Sequence, residues 1–365
     1  MNLETNQARK PGRNQGIALI VALIAIAVLS ALAFAFAFSM KIETRLAINA
    51  DSEQQILWLG RSGVETARWI LSEELRVPNQ PYDALNQVWA GGPGALAETN
   101  SDLAGFSLNN IPIGDGQISI KIIDLERRVN INTVNPMQIQ QILTTMGVDA
   151  DSISVVADSI ADWIDADDNQ RPAGAESDYY QGLIPPYYAK NAPLDDLSEL
   201  LMIKGVTREM YLGTSGENDH TLGAFHPKLG FGNAPGQAPN YLFGLKDIFT
   251  AVSSGRVNIN TADANVLQTL PGVDAQIAGD IIKQRAGPDG VDGTDDDIPY
   301  TSVGQLQAAG VNPQSIGQLS QLCDVRSHTF EVHVTAQVGS YTREYVAILF
   351  RNSGTDIQVL SFWWK

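Results

Sequence analysis

Twenty-two consecutive residues, Ile17 to Phe38, carry no charge and one polar side chain, Ser30. A run like that has no place on the surface of a water-soluble domain. As a helix rising 1.5 Å per residue it spans roughly 33 Å, enough for the hydrocarbon core of a bilayer. Arg9, Lys10 and Arg13 precede it. The positive-inside rule therefore places the short tail in the cytoplasm and the rest of the chain on the far side. Three fates fit such a segment. It can be cleaved behind the run, where Ala33-Phe34-Ala35 offers a small-x-small site. It can remain as a plain anchor. Or it can be cut in front of the run, between Gly16 and Ile17.

The residues that follow bear on the choice. Lys41 to Leu75 contains no proline, and Ala50, Leu57, Val64 and Leu71 recur every seven residues. This predicts one helix from Ile17 to about Arg76, apolar at first and amphipathic later, ending before Pro78. Ala47, Gly60 and Ala67 offer small residues for close helix approach to other subunits. A short basic leader ending in Gly16, an apolar run and a long helix resemble a type IV pilin or pseudopilin. The resemblance implies a leader over 1–16, cleavage by prepilin peptidase after Gly16 and methylation of the new N-terminal Ile17, where most members have Phe. Most members also carry Glu at the fifth mature position, which here is Val21. Lack of that Glu marks the K-type minor pseudopilins of type II secretion, and Arg61-Ser-Gly-Val-Glu-Thr-Ala-Arg-Trp69 is similar to their helix.

The middle of the chain repeats. Arg128-Val-Asn-Ile-Asn-Thr133 returns as Arg256-Val-Asn-Ile-Asn-Thr261. After each copy the pattern predicts paired short helices around an acidic loop. In the first copy these cover Pro136–Met146, a helix up to Ile164, and Leu194–Ile203. In the second they cover Asp263–Leu270, Ala275–Arg285, Ser302–Ala309 and a helix from Pro313. Residues 213–240, rich in Gly, Pro and Asn, read as a loop, and Tyr241–Val252 as a helix. Alternation predicts strands at Gln117–Asp124, Thr329–Val338, Tyr341–Phe350 and Ile357–Trp364. The expected fold is α+β. A pilin-like long N-terminal helix and an antiparallel sheet are interrupted by an inserted helical domain of two helix-hairpin, SAM-like repeats. The expected segments are a membrane span at 17–40, helix and first sheet residues at 41–128, repeat one at 129–212, a linker at 213–255, repeat two at 256–323, and completing strands at 324–365. The stretches RVNINT, DWIDADD, GAESDYY and ELLMIKGVT extend the resemblance to the K-type family over nearly the whole chain after Gly16. It implies a subunit at the pseudopilus tip that initiates or caps assembly in support of secretion. Its partners would be the other minor pseudopilins, the major pseudopilin, prepilin peptidase and the inner membrane, with the bulk of the chain in the periplasm.

Chemistry is narrowed by charge. Lys and Arg number 24 against 41 Asp and Glu, a net charge of −17, the wrong sign for a general phosphate-backbone binder. The helix-hairpin pattern also resembles DNA-binding modules, so a membrane-anchored DNA-binding protein of competence type is the alternative. However, Asp149 and Asp274 stand where those modules have a second glycine, and a carboxylate there repels phosphate. A calcium-dependent enzyme is a third reading, weakened because no H-E-x-x-H, G-x-S-x-G or Walker A pattern occurs. The single cysteine, Cys323, leaves no intramolecular disulfide. Six carboxylates crowd Asp162 to Asp178. Hard oxygens on a Gly/Pro loop without interleaved His or Cys suit Ca²⁺ over Zn²⁺. Asp165, Asp167, Glu176 and Asp178 are the expected ligands, with Asp162 and Asp168 as alternates, and the family resemblance supports a structural calcium ion there. A weaker pattern at the equivalent place in repeat two is Asp289, Asp292, Asp295 and Asp297.

Overall fold

The computed structural model describes residues 15–94, 98, 101–213, 241 and 243–365. Most of the expected leader and the loop at 214–240 lie outside the described residues, as does the Ala47 side chain. The chain forms two compact units divided after Trp58. In the first, α1 (Gln15–Glu74) presents the apolar stretch Ile17–Thr44, 28 residues of mean hydropathy 3.0, none of it buried. Ile17 is 63% and Phe34 74% exposed. A helix with apolar side chains all round is stable in lipid, not in water. This fits a single membrane pass, running a few residues beyond the expected 17–40.

The second unit begins with the last turns of α1. Val64, Ala67, Ile70 and Leu71 are buried, and Gly60 and Gly63 let the helix approach the sheet. A Cβ at Gly60 would overlap the Tyr345 ring, and one at Gly63 would overlap Val334. Gly60 therefore faces the protein's own sheet and Ala67 is buried within the chain, a correction to their expected role against other subunits. Sequence shows that a residue is small, but not which neighbour uses the space.

Two strands follow, β1 (Ile111–Ile113) and β2 (Gly116–Asp124). The chain then leaves the sheet. Repeat one runs through β3 (Val129–Asn130), α2 (Pro136–Met146), α3 (Ala150–Ile164), α4 (Ser177–Gln181), α5 (Arg208–Leu212), α6 (Leu245–Ile248) and β4 (Phe249–Thr250). Repeat two runs through β5 (Val257–Asn258), α7 (Ala264–Leu267), α8 (Ala275–Arg285), α9 (Pro313–Leu322) and β6 (Cys323–Asp324). The chain returns as β7 (Thr329–Val338), β8 (Tyr341–Ser353) and β9 (Asp356–Trp364), giving an antiparallel sheet in the order β1-β2-β7-β8-β9. Its inner face buries Ile118, Ile120 and Ile122 from β2 and Phe330, Val332 and Val334 from β7, the alternation that period-2 patterning demands.

Each repeat is closed by a two-residue parallel pair, β3 with β4 and β5 with β6. This moves the expected boundary. Only Leu245–Ile248 of the predicted helix Tyr241–Val252 forms, and Phe249–Thr250 ends repeat one as Cys323–Asp324 ends repeat two. The repeated Asn-Ile-Asn has a matching purpose in both copies. The Asn132 amide accepts from Leu194 N at 2.8 Å and donates to Leu194 O at 3.0 Å; Asn260 does the same with Tyr300 at 2.8 and 2.9 Å. Each Asn thus pins the segment that follows its acidic loop. The expected helices Leu194–Ile203 and Ser302–Ala309 are 3₁₀ turns at Leu197–Met202 and Val303–Ala309, and Asp263–Leu270 contracts to α7. The start of α2 forms as its sequence directs, with Pro136 in the first turn and a reciprocal Asn135–Gln138 capping box.

A buried polar hub joins the insert to the sheet. Asp124 Oδ2 accepts from Ser327 Oγ at 2.6 Å, Thr261 Oγ1 at 2.5 Å and Asn258 Nδ2 at 3.2 Å. Arg351 on β8 pairs with Asp83 through Nη2 and donates to Ser327 O at 2.7 Å and Leu71 O at 3.2 Å. Asp83 in turn accepts from Ser327 N at 2.8 Å.

A second buried cluster surrounds the end of α1. Glu74 and Glu98 share the Gln80 amide, at 3.2 and 3.0 Å. Burial, then the charges of Glu98 and Asp83, push Glu74 up to about 9. The folded protein therefore keeps a proton that the unfolded chain releases above its ordinary value of 4.5. The stability this contributes is full below pH 4.5 and is lost as pH rises toward about 9. Glu74→Gln, which imitates the protonated side chain, is expected to flatten the loss of stability between those limits. Urea unfolding across that range is the measurement; parallel profiles for the two proteins would contradict it.

Candidate metal centre

The first acidic loop is built by the end of α3, the start of α4 and the turn between them. Asp162 sits in the last turn of α3, Asp165 caps its C-terminus, and Glu176 stands at the N-cap of α4. Among the described residues, one group of three or more carboxylate, thiol or imidazole side chains converges. It comprises Asp165, Asp167 and Glu176, with one oxygen from each within 4.8 Å of the others. Two polypeptide ends thus deliver carboxylates to one point, as the sequence suggested.

The burial of these groups is informative. Glu176 is 4% exposed, and neither of its carboxylate oxygens has a hydrogen-bond partner. Asp165 Oδ1 is buried and unpartnered as well. A buried oxygen without a donor costs about 1–3 kcal/mol, and more when charged. Burial, followed by the charges of Asp162, Asp165, Asp168 and Asp167, pushes Glu176 up to about 7. Three orphaned carboxylate oxygens at one place are what a hard cation would satisfy, so the residues fit a calcium ion.

The other expected ligands go elsewhere. Asp162 is fully buried and accepts from Arg171, from the backbone N at 3.2 Å and from Nη1 at 2.7 Å. Asp168 Oδ1 accepts from Asn191 Nδ2 at 2.9 Å. Asp178 is exposed in the first turn of α4, outside the group of three. The turn depends on Gly174, where a Cβ would overlap Asp162 Oδ2, and Lys204 Nζ holds the Gly174 carbonyl at 2.8 Å. Pro172 and Gly174 are expected from the sequence as the place where the loop folds back, but Arg171 is not singled out there. The available signal was a single basic residue inside a run of six carboxylates.

The second loop does not gather ligands. Asp292 makes a buried bidentate pair with Arg285, at 3.0 Å to Nε and 2.7 Å to Nη2. Asp289 Oδ1 accepts from Val291 N at 2.8 Å, Asp297 Oδ2 accepts from Gly293 N at 2.8 Å, and Asp295 is exposed. These carboxylates brace their own turn. The spacing that suggested a second ion is explained by backbone hydrogen bonding and one arginine.

The remaining marked residues lie on α1. Gly16 and Ile17 fall in its first turn, and Val21 is 60% exposed. In the hairpins Asp274 caps α8 by accepting from Ile277 N at 2.9 Å, which accounts for a carboxylate in place of glycine.

Residues 104–214 match the family model described as type II secretion system (T2SS), protein K. Over these residues the chain is similar to the type II secretion system protein K family. Residues 252–320 match a helix-hairpin-helix motif, which falls on repeat two. The type II secretion system protein K of Pseudomonas aeruginosa is 28% identical over 207 residues, 53% of this chain and 58% of that protein. Its namesake from Pectobacterium carotovorum subsp. carotovorum is 26% identical over 220 residues, 54% and 60% of the two chains. The matched region thus spans less than two thirds of these relatives. A chain in the crystal structure of the GspK-GspI-GspJ complex from the enterotoxigenic Escherichia coli type 2 secretion system aligns with a TM-score of 0.61 at 22% identity. The alignment covers 87% of this chain and 98% of that one, so the shared fold extends well beyond the residues matched in sequence.

Proposed function

We infer that the chain is a minor pseudopilin at the tip of a type II secretion pseudopilus, where it initiates or caps assembly and supports secretion across the outer membrane. The observation that carries this reading is the architecture, a pilin-like helix and sheet interrupted between β2 and β7 by a two-repeat helical insert. Such bulk suits a subunit with nothing stacked above it. Val21 agrees: a Glu there would need the N-terminal amine of a neighbour to offset its charge in hydrocarbon. Counterparts of GspI and GspJ are the expected partners, followed by the major pseudopilin.

In this reading α1 crosses the inner membrane once, with Arg9, Lys10 and Arg13 on the cytoplasmic side and the bulk of the chain in the periplasm. Prepilin peptidase removes the leader after Gly16, and Ile17 is methylated. A structural Ca²⁺ is held by Asp165, Asp167 and Glu176; their convergence and the unpartnered oxygens of Asp165 and Glu176 support it. The protein has no catalytic role.

Two measurements test this function together. Edman sequencing of membrane-extracted protein should begin at Ile17, and a start near Phe36 or Phe38 would indicate ordinary signal peptidase. Deleting the gene should abolish secretion of type II substrates in its host, with the wild-type chain restoring it. Undiminished secretion without the gene would overturn the assignment.

A further inference from the structure

The first acidic loop brings a cation of its own. Arg171 Nη1 lies 2.7 Å from Asp162 Oδ1 and 2.5 Å from Asp165 Oδ2, so one guanidinium nitrogen bridges the two carboxylates. The Arg171 backbone N–H also donates to Asp162, at 3.2 and 3.3 Å to its two oxygens. Asp162 is thereby fully committed. Asp165 is divided: Oδ2 serves Arg171, while Oδ1 is buried and unpartnered. Glu176, 4% exposed, has both oxygens unpartnered within reach of Asp165 and Asp167.

We propose that Arg171 is a resident counter-cation that competes with the divalent ion for Asp165 and so sets the affinity of the loop. The proposal rests on reading this loop as a calcium site. Two physical effects act in the same direction. Ca²⁺ takes six to eight oxygens, and Arg171 reduces Asp165 from two available oxygens to one. A guanidinium is charged at every accessible pH, so it also repels a divalent ion a few ångströms away. In return, the loop keeps a counter-charge when the ion leaves. Asp162 and Asp165 stay paired, and only Glu176, Asp167 and one oxygen of Asp165 await the ion. The loop can then empty and fill without coming apart, and its occupancy follows the calcium concentration outside the membrane.

The test is calorimetric titration of calcium chloride into the full chain, purified in detergent and stripped with chelator. Arg171→Met is expected to bind calcium about tenfold more tightly than wild type, the effect a nearby unit charge retains under water-like screening. Without calcium, its melting temperature should fall below that of wild type, because the counter-charge is gone. Since Arg171→Met leaves the buried Asp162 carboxylate unpaired, the double variant Asp162→Asn with Arg171→Met is titrated alongside. It removes both charges and should also bind more tightly. Binding by the variants alone supports the competition. Equal or weaker binding by both variants, with wild type binding normally, would make Arg171 a support for Asp165 and overturn the proposal. No calcium binding by any of the three proteins would sink the calcium reading itself, and the competition with it.

Discussion

Chelating divalent cations is expected to lower the melting temperature of the detergent-purified chain by about 5 °C, and added calcium to restore it. An ion that binds only the folded loop stabilises it by mass action, about 2.7 kcal/mol at a hundred times its dissociation constant. The structural reason lies in Glu176 and Asp165, whose buried oxygens have no protein donor. With the ion removed, those oxygens need water, and the loop must admit it at Glu176 while Arg171 keeps Asp162 and Asp165 paired. Magnesium should substitute poorly, since it demands a tighter octahedron than this irregular set of carboxylates offers. The double variant Asp165→Ala with Glu176→Ala should melt at the same temperature with and without calcium. Equal melting of the wild-type chain under both conditions would mean that the loop folds around its own arginine and nothing else.

Replacing Arg351 by Met is expected to destabilise the folded domain by about 3–5 kcal/mol, the usual penalty for removing one partner of a buried ion pair. Both side chains are 2% exposed. Arg351 also lies over the Phe330 ring, 4.8 Å from its centroid, and ties the carbonyls of Leu71 and Ser327. Met fills the space but leaves the Asp83 carboxylate without its countercharge. Converting Asp83 to Asn in the same chain should recover much of the loss, because the amide oxygen still accepts from Ser327 N while the buried charge disappears. Guanidinium unfolding of the three proteins is the measurement. A loss under about 1 kcal/mol in the single variant would place this pair among the ion pairs that solvent screens.

Much of the fold was legible because it is periodic. The apolar run announces the start of α1, alternation announces β2 and β7 to β9, and six identical residues at two places announce the repeats. What escaped was structure too short to have a period. The pairs Val129–Asn130 with Phe249–Thr250 and Val257–Asn258 with Cys323–Asp324 are two residues long, so Phe249 and Thr250 read as the end of a helix. The 3₁₀ turns at Leu197–Met202 and Val303–Ala309 read as α-helices in sequence because their apolar spacing is alike at that length. At the site, crowding of carboxylates showed the place but not the division of labour. Asp162, Asp165 and Glu176 look equivalent in sequence. Only the path of the chain puts Arg171 against the first two and leaves both Glu176 oxygens buried without a protein donor. The hub at Asp124 was illegible for a related reason, since its partners Asn258, Thr261 and Ser327 belong to segments more than a hundred residues away.

The two ends of the helical insert meet at that hub, with Ser327 Oγ 2.6 Å from Asp124 Oδ2. The sheet pairs Asp124 with Phe330 across the whole insert. Had that intervening chain been a flexible loop, its closure would cost about 3–4 kcal/mol more in chain entropy than closing a four-residue turn. Folded repeats whose entrance and exit already lie side by side remove most of that penalty, so β2 and β7 come together much as if a short hairpin joined them. By this reasoning, the sheet constrains the insert only where its ends emerge. The same opening in a pilin-like sheet can therefore accept helical bodies of very different size, provided they return the chain to the point where they took it up.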